Sequence, residues 1–223
     1  MHFILGLFLI IGLPMSVNGQ EASQKSIEQT KEKTSHKIGI IIGSTRPNKI
    51  GGQVAEWVLS QVQHLSNLQF ALVDLEKWNL PLFNEPGMPI NGPQTYTHVH
   101  TKRWSQEIAS YDGYIFVTPQ YNFGYPASLK NAIDYLYVEW KGKPALIISY
   151  GYQGGGEKAA AQLKQVLESL TMNLTSTMPA IGLAPAMLDE KKKLKNTSED
   201  FKSYHETVIT AVKELAENMQ RDK

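Results

Sequence analysis

The chain has 223 residues, enough for one ordinary domain with a real core and little more. Its formal net charge of +1 leaves no electrostatic footprint for a nucleic acid or an acidic surface. There is no cysteine, which excludes disulfides, thiolate metal sites and cysteine nucleophiles.

Residues 1–19 stand apart. Phe3 to Leu13 are almost all large and apolar, Pro14 breaks the run, and Val17-Asn18-Gly19 precede Gln20. A bilayer needs about 20 apolar residues, so this run is too short to span one in the ordinary way. The pattern predicts a secretory signal cleaved after Gly19, although His2 is the only positive side chain that could stand at its start. The alternatives are a cytoplasmic protein, or one anchored to a membrane by residues 3–13. Residues 20–36 are polar and charged with no apolar face and read as a tether. A single folded domain is expected over 37–223.

From Lys37 onward, strand and helix patterns alternate. Ile38 to Ile42 is a β-branched run, a strand buried on both faces. Gly43 to Gly51 is a loop, and Gln53 to Gln63 carries Val54, Trp57, Val58 and Val62 at helical spacing. Leu68 to Leu75 is a second strand. Trp78 to Gln94, rich in proline, is a long loop, of the kind that is usually functional or mobile. Thr95 to Ser110 is helical, Gly113 to Val117 is the third strand, and Ala127 to Tyr137 is helical. Pro144 to Ser149 is the fourth strand, Glu157 to Leu170 a strongly periodic helix, and Met172 to Ile181 a weak, Thr-rich fifth strand. Ala184 to Thr197 is polar with a run of lysines, and Asp200 to Gln220 closes the chain as a helix. Five alternations predict a parallel sheet with helices on both faces.

Three loops then draw attention, each following a strand and opening a helix. The first, GSTRPNKIGG, spans Gly43 to Gly52. A helix start offers unpaired N–H groups and the positive end of a dipole, Ser44 and Thr45 add hydroxyls, and Arg46 can grip a phosphate with two hydrogen bonds. It is neither a dinucleotide fingerprint nor a Walker loop, so a mononucleotide is the expected ligand, against the plainer reading of a helix start capped by serine. The second loop lies in TPQYNFGYPASLKNAIDY, Thr118 to Tyr135. Tyr121, Asn122 and Phe123 combine aromatic surface with backbone amides, as the face and edge of a flavin require. The third, SYGYQGGG from Ser149 to Gly156, has four glycines in six positions from Gly151 and allows close backbone approach. In a doubly wound sheet all three loops face the same edge.

Taken together, GSxR, PxYNxGYPAxLKNAIDYL and SYGxxGG resemble, in order, the NADPH-dependent FMN reductase family, which includes quinone, azo-dye and chromate reductases. Gln120, followed later by Glu139-Trp140-Lys141-Gly142-Lys143-Pro144, is similar to the eukaryotic, fungal-type quinone reductases in it. The resemblance implies a flavodoxin-like, doubly wound, five-stranded parallel sheet in the order 2-1-3-4-5. It also implies FMN as cofactor, NADPH as co-substrate, a small-molecule electron acceptor and a homodimer. On it, Ser44, Arg46, Lys49, Ile50 and Gly51 would hold the FMN phosphate. Pro119, Gln120, Tyr121, Asn122 and Phe123 would hold the isoalloxazine, and Ser149, Gly151 and Gly154 would line its other edge. No catalytic side chain is assigned; Tyr121 is a candidate for shaping the pocket. Rival readings are a flavin-binding electron carrier or redox-sensing module without turnover, and a phosphoester-binding scaffold.

Among other candidates, Glu85 could help to line a substrate pocket, Lys130 and Asp134 read as an ion pair one helical turn apart, and His98 and His100 lack metal-ligand partners nearby in sequence. Fusing residues 1–36 to a reporter is expected to send it into the secretory pathway; a reporter that stays in the cytoplasm contradicts the signal reading.

Overall fold

The structure, a computed structural model, describes residues 35–221; the signal read at residues 1–19, the alternative anchor at 3–13 and all but the end of the tether lie outside them. The described chain forms strands β1 (His36–Ile42), β2 (Leu68–Asp74), β3 (Gly113–Pro119), β4 (Pro144–Gly151), β5 (Asn173–Leu174) and β6 (Ala180–Gly182). The helices are α1 (Gly51–Val62), α2 (Leu75–Trp78), α3 (Val99–Ala109), α4 (Ala127–Asp134), α5 (Glu157–Ser169), α6 (Thr197–Asp200) and α7 (His205–Arg221). The sheet runs β2-β1-β3-β4-β5, with β6 also paired to β4, and every pairing is parallel. This is the expected 2-1-3-4-5 order, with the fifth strand broken in two.

The break has a local cause. Glu214, on α7, accepts hydrogen bonds from the N–H groups of Ser176 and Thr177, both at 3.0 Å, and the Thr175 hydroxyl donates to the Thr177 carbonyl at 3.0 Å. These bonds draw the backbone off the ladder, and β6 restores it three residues later. The closing helix likewise starts at His205 instead of Asp200. Residues 197–204 form one short α-turn and one 3₁₀ turn around Phe201, which is buried edge-on against Trp57 with ring centroids 5.3 Å apart.

Alternation along the strands divides the core into two layers. Ile38, Ile40, Ile42, Ile115, Val117, Leu146 and Ile148 face α1 and α7; Ile41, Tyr114, Phe116, Ala145 and Ile147 face α3, α4 and α5. Each fully buried Ile or Leu contributes about 1.5–3 kcal/mol relative to exposure, so both faces of the sheet must stay covered.

The motif residues that carry the family resemblance partly serve this core. The Trp104 and Trp140 indoles donate to the Ala132 and Ile133 carbonyls in the last turn of α4, at 2.8 and 3.1 Å. Glu139 is buried and accepts from the Tyr96 hydroxyl at 3.1 Å and from Ser105. Lys143 donates to the Tyr111 carbonyl at 2.5 Å and to the Ile108 and Ala109 carbonyls, each at 3.3 Å, satisfying the end of α3. Lys130 and Asp134 do pair, at 2.6 Å. Asn131 clamps the long loop, donating to the Pro81 carbonyl and accepting from the Phe83 N–H, each at 2.7 Å.

Glu85 serves the fold, not a pocket wall. It is buried, accepts from the Thr101 hydroxyl at 2.7 Å, and takes the N–H groups of Thr97 and His98 at the start of α3. Burial alone would raise its carboxyl; the hydrogen bonds from Thr101, Thr97 and His98 outweigh that and hold it at about 2. A carboxyl lowered on folding stabilises the protein above its ordinary value near 4.5, and that contribution is lost as pH falls towards 2. Glu85→Gln is expected to lower stability at neutral pH by about 1–3 kcal/mol. Unfolding titrations of the variant should also show a weaker loss of stability over that acid range; curves parallel to wild type would contradict the assignment.

Candidate functional site

β1 and β3 lie side by side, but the chain leaves them in opposite directions: through α1 on one face to β2, and through α4 on the other to β4. A crevice therefore opens beyond their carboxyl ends, where open α/β sheets bind ligands. The last rung across it is the Gly43 N–H donating to the Val117 carbonyl at 3.0 Å.

The first loop crosses one side of this crevice. Ser44 is fully buried, its Oγ accepting from the Arg46 N–H at 3.3 Å. Arg46 itself is exposed. Helix α1 begins after Ile50 with no side-chain cap, so the serine-cap reading fails, and the N–H groups of Gly51, Gly52 and Gln53 have no acceptor among the described residues. A Cβ on Gly52 would meet nothing within 4 Å, so that turn faces open space. Lys49 lines the cavity wall, and its ammonium also pairs with Asp74 at 3.4 Å and with Glu76. Burial would lower it, but Glu76 and Asp74 together raise it.

The second loop is a two-residue hairpin. Tyr121 and Gly124 exchange N–H to carbonyl bonds at 2.7 and 2.9 Å, and the two residues between them, Asn122 and Phe123, have φ of 49° and 66°. Both central angles are positive, as tight hairpins of this length favour, but a phenylalanine at such an angle is strained by about 1–3 kcal/mol. Strain of this kind gathers at ligand-contacting positions. Phe123 is half-exposed, with the Lys158 ammonium 4.1 Å from its ring centroid. The Tyr121 hydroxyl meets Ser44 Oγ at 2.7 Å, joining the first two loops. Ser128, in the first turn of α4, donates to the Gly43 carbonyl at 2.7 Å.

The third loop packs beneath the second. Ser149 is buried and donates to the Gly155 carbonyl at 2.9 Å, and the Gln120 side chain accepts from the Ala159 N–H at the start of α5. Gly155 has φ of 59° and lies so close to the Ala180 backbone that a Cβ would come within 2.3 Å of it.

These loops enclose a cavity of about 580 Å³. Its walls bring together Arg46, Lys49, Ile50, Pro119, Gln120 and Tyr121 from the predicted set. Among the other predicted residues, Asn122 and Phe123 stand exposed at the hairpin tip and Gly51 underlies the helix start, while Ser149, Gly151 and Gly154 shape the third loop without lining the cavity. The cavity also has walls that the sequence did not reveal: Tyr150, Tyr152, Leu183, Leu188 and Lys192. Tyr150 stood inside the quoted SYG motif, one position from Ser149. Lys192 sits in a turn closed by a Leu188–Leu194 bridge, and Gln53 of α1 holds that turn through two hydrogen bonds to Leu194, at 2.9 and 3.0 Å.

A five-stranded parallel α/β sheet, with an uncapped helix start, the exposed Arg46 and an aromatic hairpin at its topological switch point, defines a flavodoxin-like mononucleotide-binding protein. The profile of the NADPH-dependent FMN reductase family matches residues 36–185, and the chain belongs to that family. It is 50% identical over 151 residues to an NAD(P)H-dependent FMN reductase of Schizosaccharomyces pombe, covering 68% of this chain and 75% of the relative. It is 31% identical over 173 residues to a quinone reductase of Pseudomonas putida, covering 74% and 88% respectively. Among solved structures, a flavoenzyme NAD(P)H:acceptor oxidoreductase of Paracoccus denitrificans shares the fold, with a TM-score of 0.63 at 23% identity over 82% of this chain and 98% of that one.

Gly155→Ala is expected to destabilise the protein by about 1–3 kcal/mol from the left-handed backbone angle alone. The Cβ clash with Ala180 adds to that loss. Thermal unfolding measures it, and an unchanged midpoint would contradict the packing described for the third loop.

Proposed function

We propose that the protein is an FMN-dependent NAD(P)H oxidoreductase that reduces quinones or similar small acceptors by two electrons in a ping-pong cycle. The observation that carries this is the cavity at the switch point, which brings together Arg46 and Ile50, the residue before the uncapped start of α1, with Pro119, Gln120 and Tyr121 of the second loop. Its volume of about 580 Å³ lies within the range of cofactor pockets. The donor set fits a phosphate monoester joined to a flat ring. FMN, when bound, supplies the redox chemistry, accepting hydride from NADPH and passing two electrons to the acceptor, and no side-chain acid or base is needed for the first transfer.

The chain's own residues bind and orient. The first turn of α1 and Arg46 would hold the phosphate. Pro119 to Phe123 would hold the ring, with Asn122 and Phe123 kept in place by the Tyr121–Gly124 bridge. Tyr121 meets Ser44, so its ring can close the pocket between the phosphate and flavin ends. The relatives named for quinone reduction support a small acceptor entering where the nicotinamide has left. Lys49 lines the cavity beside Arg46 and braces the loop through Asp74 and Glu76.

Two further expectations extend this reading. The family resemblance implies a homodimer, and the exposed Met88 and Ile90, beside a groove of about 430 Å³, offer a second copy an apolar surface. The apolar run at residues 3–13 implies an exported reductase.

Initial rates of NADPH oxidation with benzoquinone should give parallel double-reciprocal lines when either substrate is varied. Arg46→Ala should weaken FMN binding by about 1.5–3 kcal/mol through loss of its charged hydrogen bonds. Intersecting lines would refute the ping-pong order, and unchanged FMN affinity would refute the place given to Arg46.

A further inference from the structure

We propose that the Tyr150 hydroxyl is a ligand-binding group that donates a hydrogen bond to the phosphate monoester seated on the start of α1. This rests on the FMN reading and adds to it a residue of the third loop that the sequence did not mark as a site residue.

The inference begins with a group that has no partner. Five tyrosines are buried: Tyr96, Tyr111, Tyr114, Tyr135 and Tyr150. A buried phenol normally finds a hydrogen-bond partner. Tyr96 donates to Glu139 at 3.1 Å, Tyr111 to Glu107 at 2.5 Å, Tyr114 to the Ile108 carbonyl at 2.7 Å and Tyr135 to the Pro81 carbonyl at 3.2 Å. The Tyr150 hydroxyl has no partner among the described residues, although the residue is only 4% exposed. What exposure remains is towards the cavity, whose wall Tyr150 helps to form.

The second observation fixes where the hydroxyl lies. A Cβ on Gly51 would stand 2.7 Å from it. Only the absence of a side chain at Gly51 allows the phenol to rest against the first residue of α1, whose N–H is itself without an acceptor. Two kinds of donor thus lie side by side: the backbone N–H groups of the helix start, and a phenol whose hydroxyl rests against Gly51. Both lack an acceptor among the described residues, and an anion would satisfy both.

The phenol is suited to donate. Burial, together with the nearby Tyr121, pushes its ionisation far above the ordinary range, so it keeps its proton at neutral pH. If Tyr150 only filled space, phenylalanine would fill it equally well; its hydroxyl is instead an open donor on a side chain that lines the cavity.

The test compares FMN with riboflavin, which has the same ring and ribityl chain but no phosphate. Both are titrated into the wild-type chain and into Tyr150→Phe, with thermal unfolding of the ligand-free proteins run alongside. The expected result is FMN binding weakened roughly 10- to 100-fold in the variant, the loss of one hydrogen bond to a charged group. Riboflavin should bind the two proteins alike. Gly51→Ala, whose methyl displaces the hydroxyl, should show the same phosphate-selective loss and serves if Tyr150→Phe does not fold. Equal weakening of both flavins, or no weakening of either, overturns the proposal while leaving FMN binding intact. A wild-type chain that binds neither flavin removes the FMN reading itself, and this proposal with it.

Discussion

Helix α1 starts without a cap. Ile50 precedes it with no side-chain oxygen to offer, and three N–H groups in the first turn have no acceptor among the described residues. Helices ordinarily satisfy at least one of these donors with Ser, Thr, Asp or Asn, at a gain of about 1 kcal/mol. This sequence places a serine nearby, but Ser44 turns inward to meet Tyr121. The uncapped start is therefore a standing demand for an anion, located by the end of the most buried part of the sheet.

The surrounding structure holds that demand in place. β1 and β3 diverge into opposite layers, and bonds between distant loops keep the crevice between them in shape. Ser44 is tied to Tyr121, Ser128 to Gly43, Gln120 to Ala159 and Gln53 to Leu194. Each of these joins a strand-end loop to another loop or to the first turn of a helix, so the site is rigid where a phosphate and a ring must be aligned. The positive φ at Phe123 is the one place in the second loop where the backbone bears clear strain, and it is at the tip that would meet the ring.

Much of this was legible from residue order. β1, β3 and β4 carry mostly apolar runs, and a parallel sheet with helices on both faces follows from their alternation with helices, while the strand order was implied by the family resemblance. The three strand-to-helix loops announced a common edge, and Arg46, Lys49, Ile50 and Pro119 to Tyr121 do share one cavity. What was not legible depends on contacts between residues far apart in the chain. Glu214 interrupts the fifth strand from some 38 positions away. Lys192 lines the cavity from a turn that Gln53 holds across 141 positions. The pairing of Lys49 with Asp74 and Glu76 joins the first loop to residues some 25 positions on. Glu85 looked available in a proline-rich loop, yet the start of α3 claims both its oxygens. Tyr150 carried no reading of its own in the sequence, and only its hydroxyl against Gly51 sets it apart.

The central claim is that one cavity holds FMN where both NADPH and an acceptor can reach it in turn. The most direct measurement is an anaerobic two-step titration of the purified chain reconstituted with FMN and freed of excess cofactor. NADPH added alone should bleach the visible flavin absorbance without any acceptor present, and benzoquinone added afterwards should restore it in proportion to the two electrons supplied. A colourless protein, or a yellow one whose colour NADPH leaves unchanged, would contradict the account.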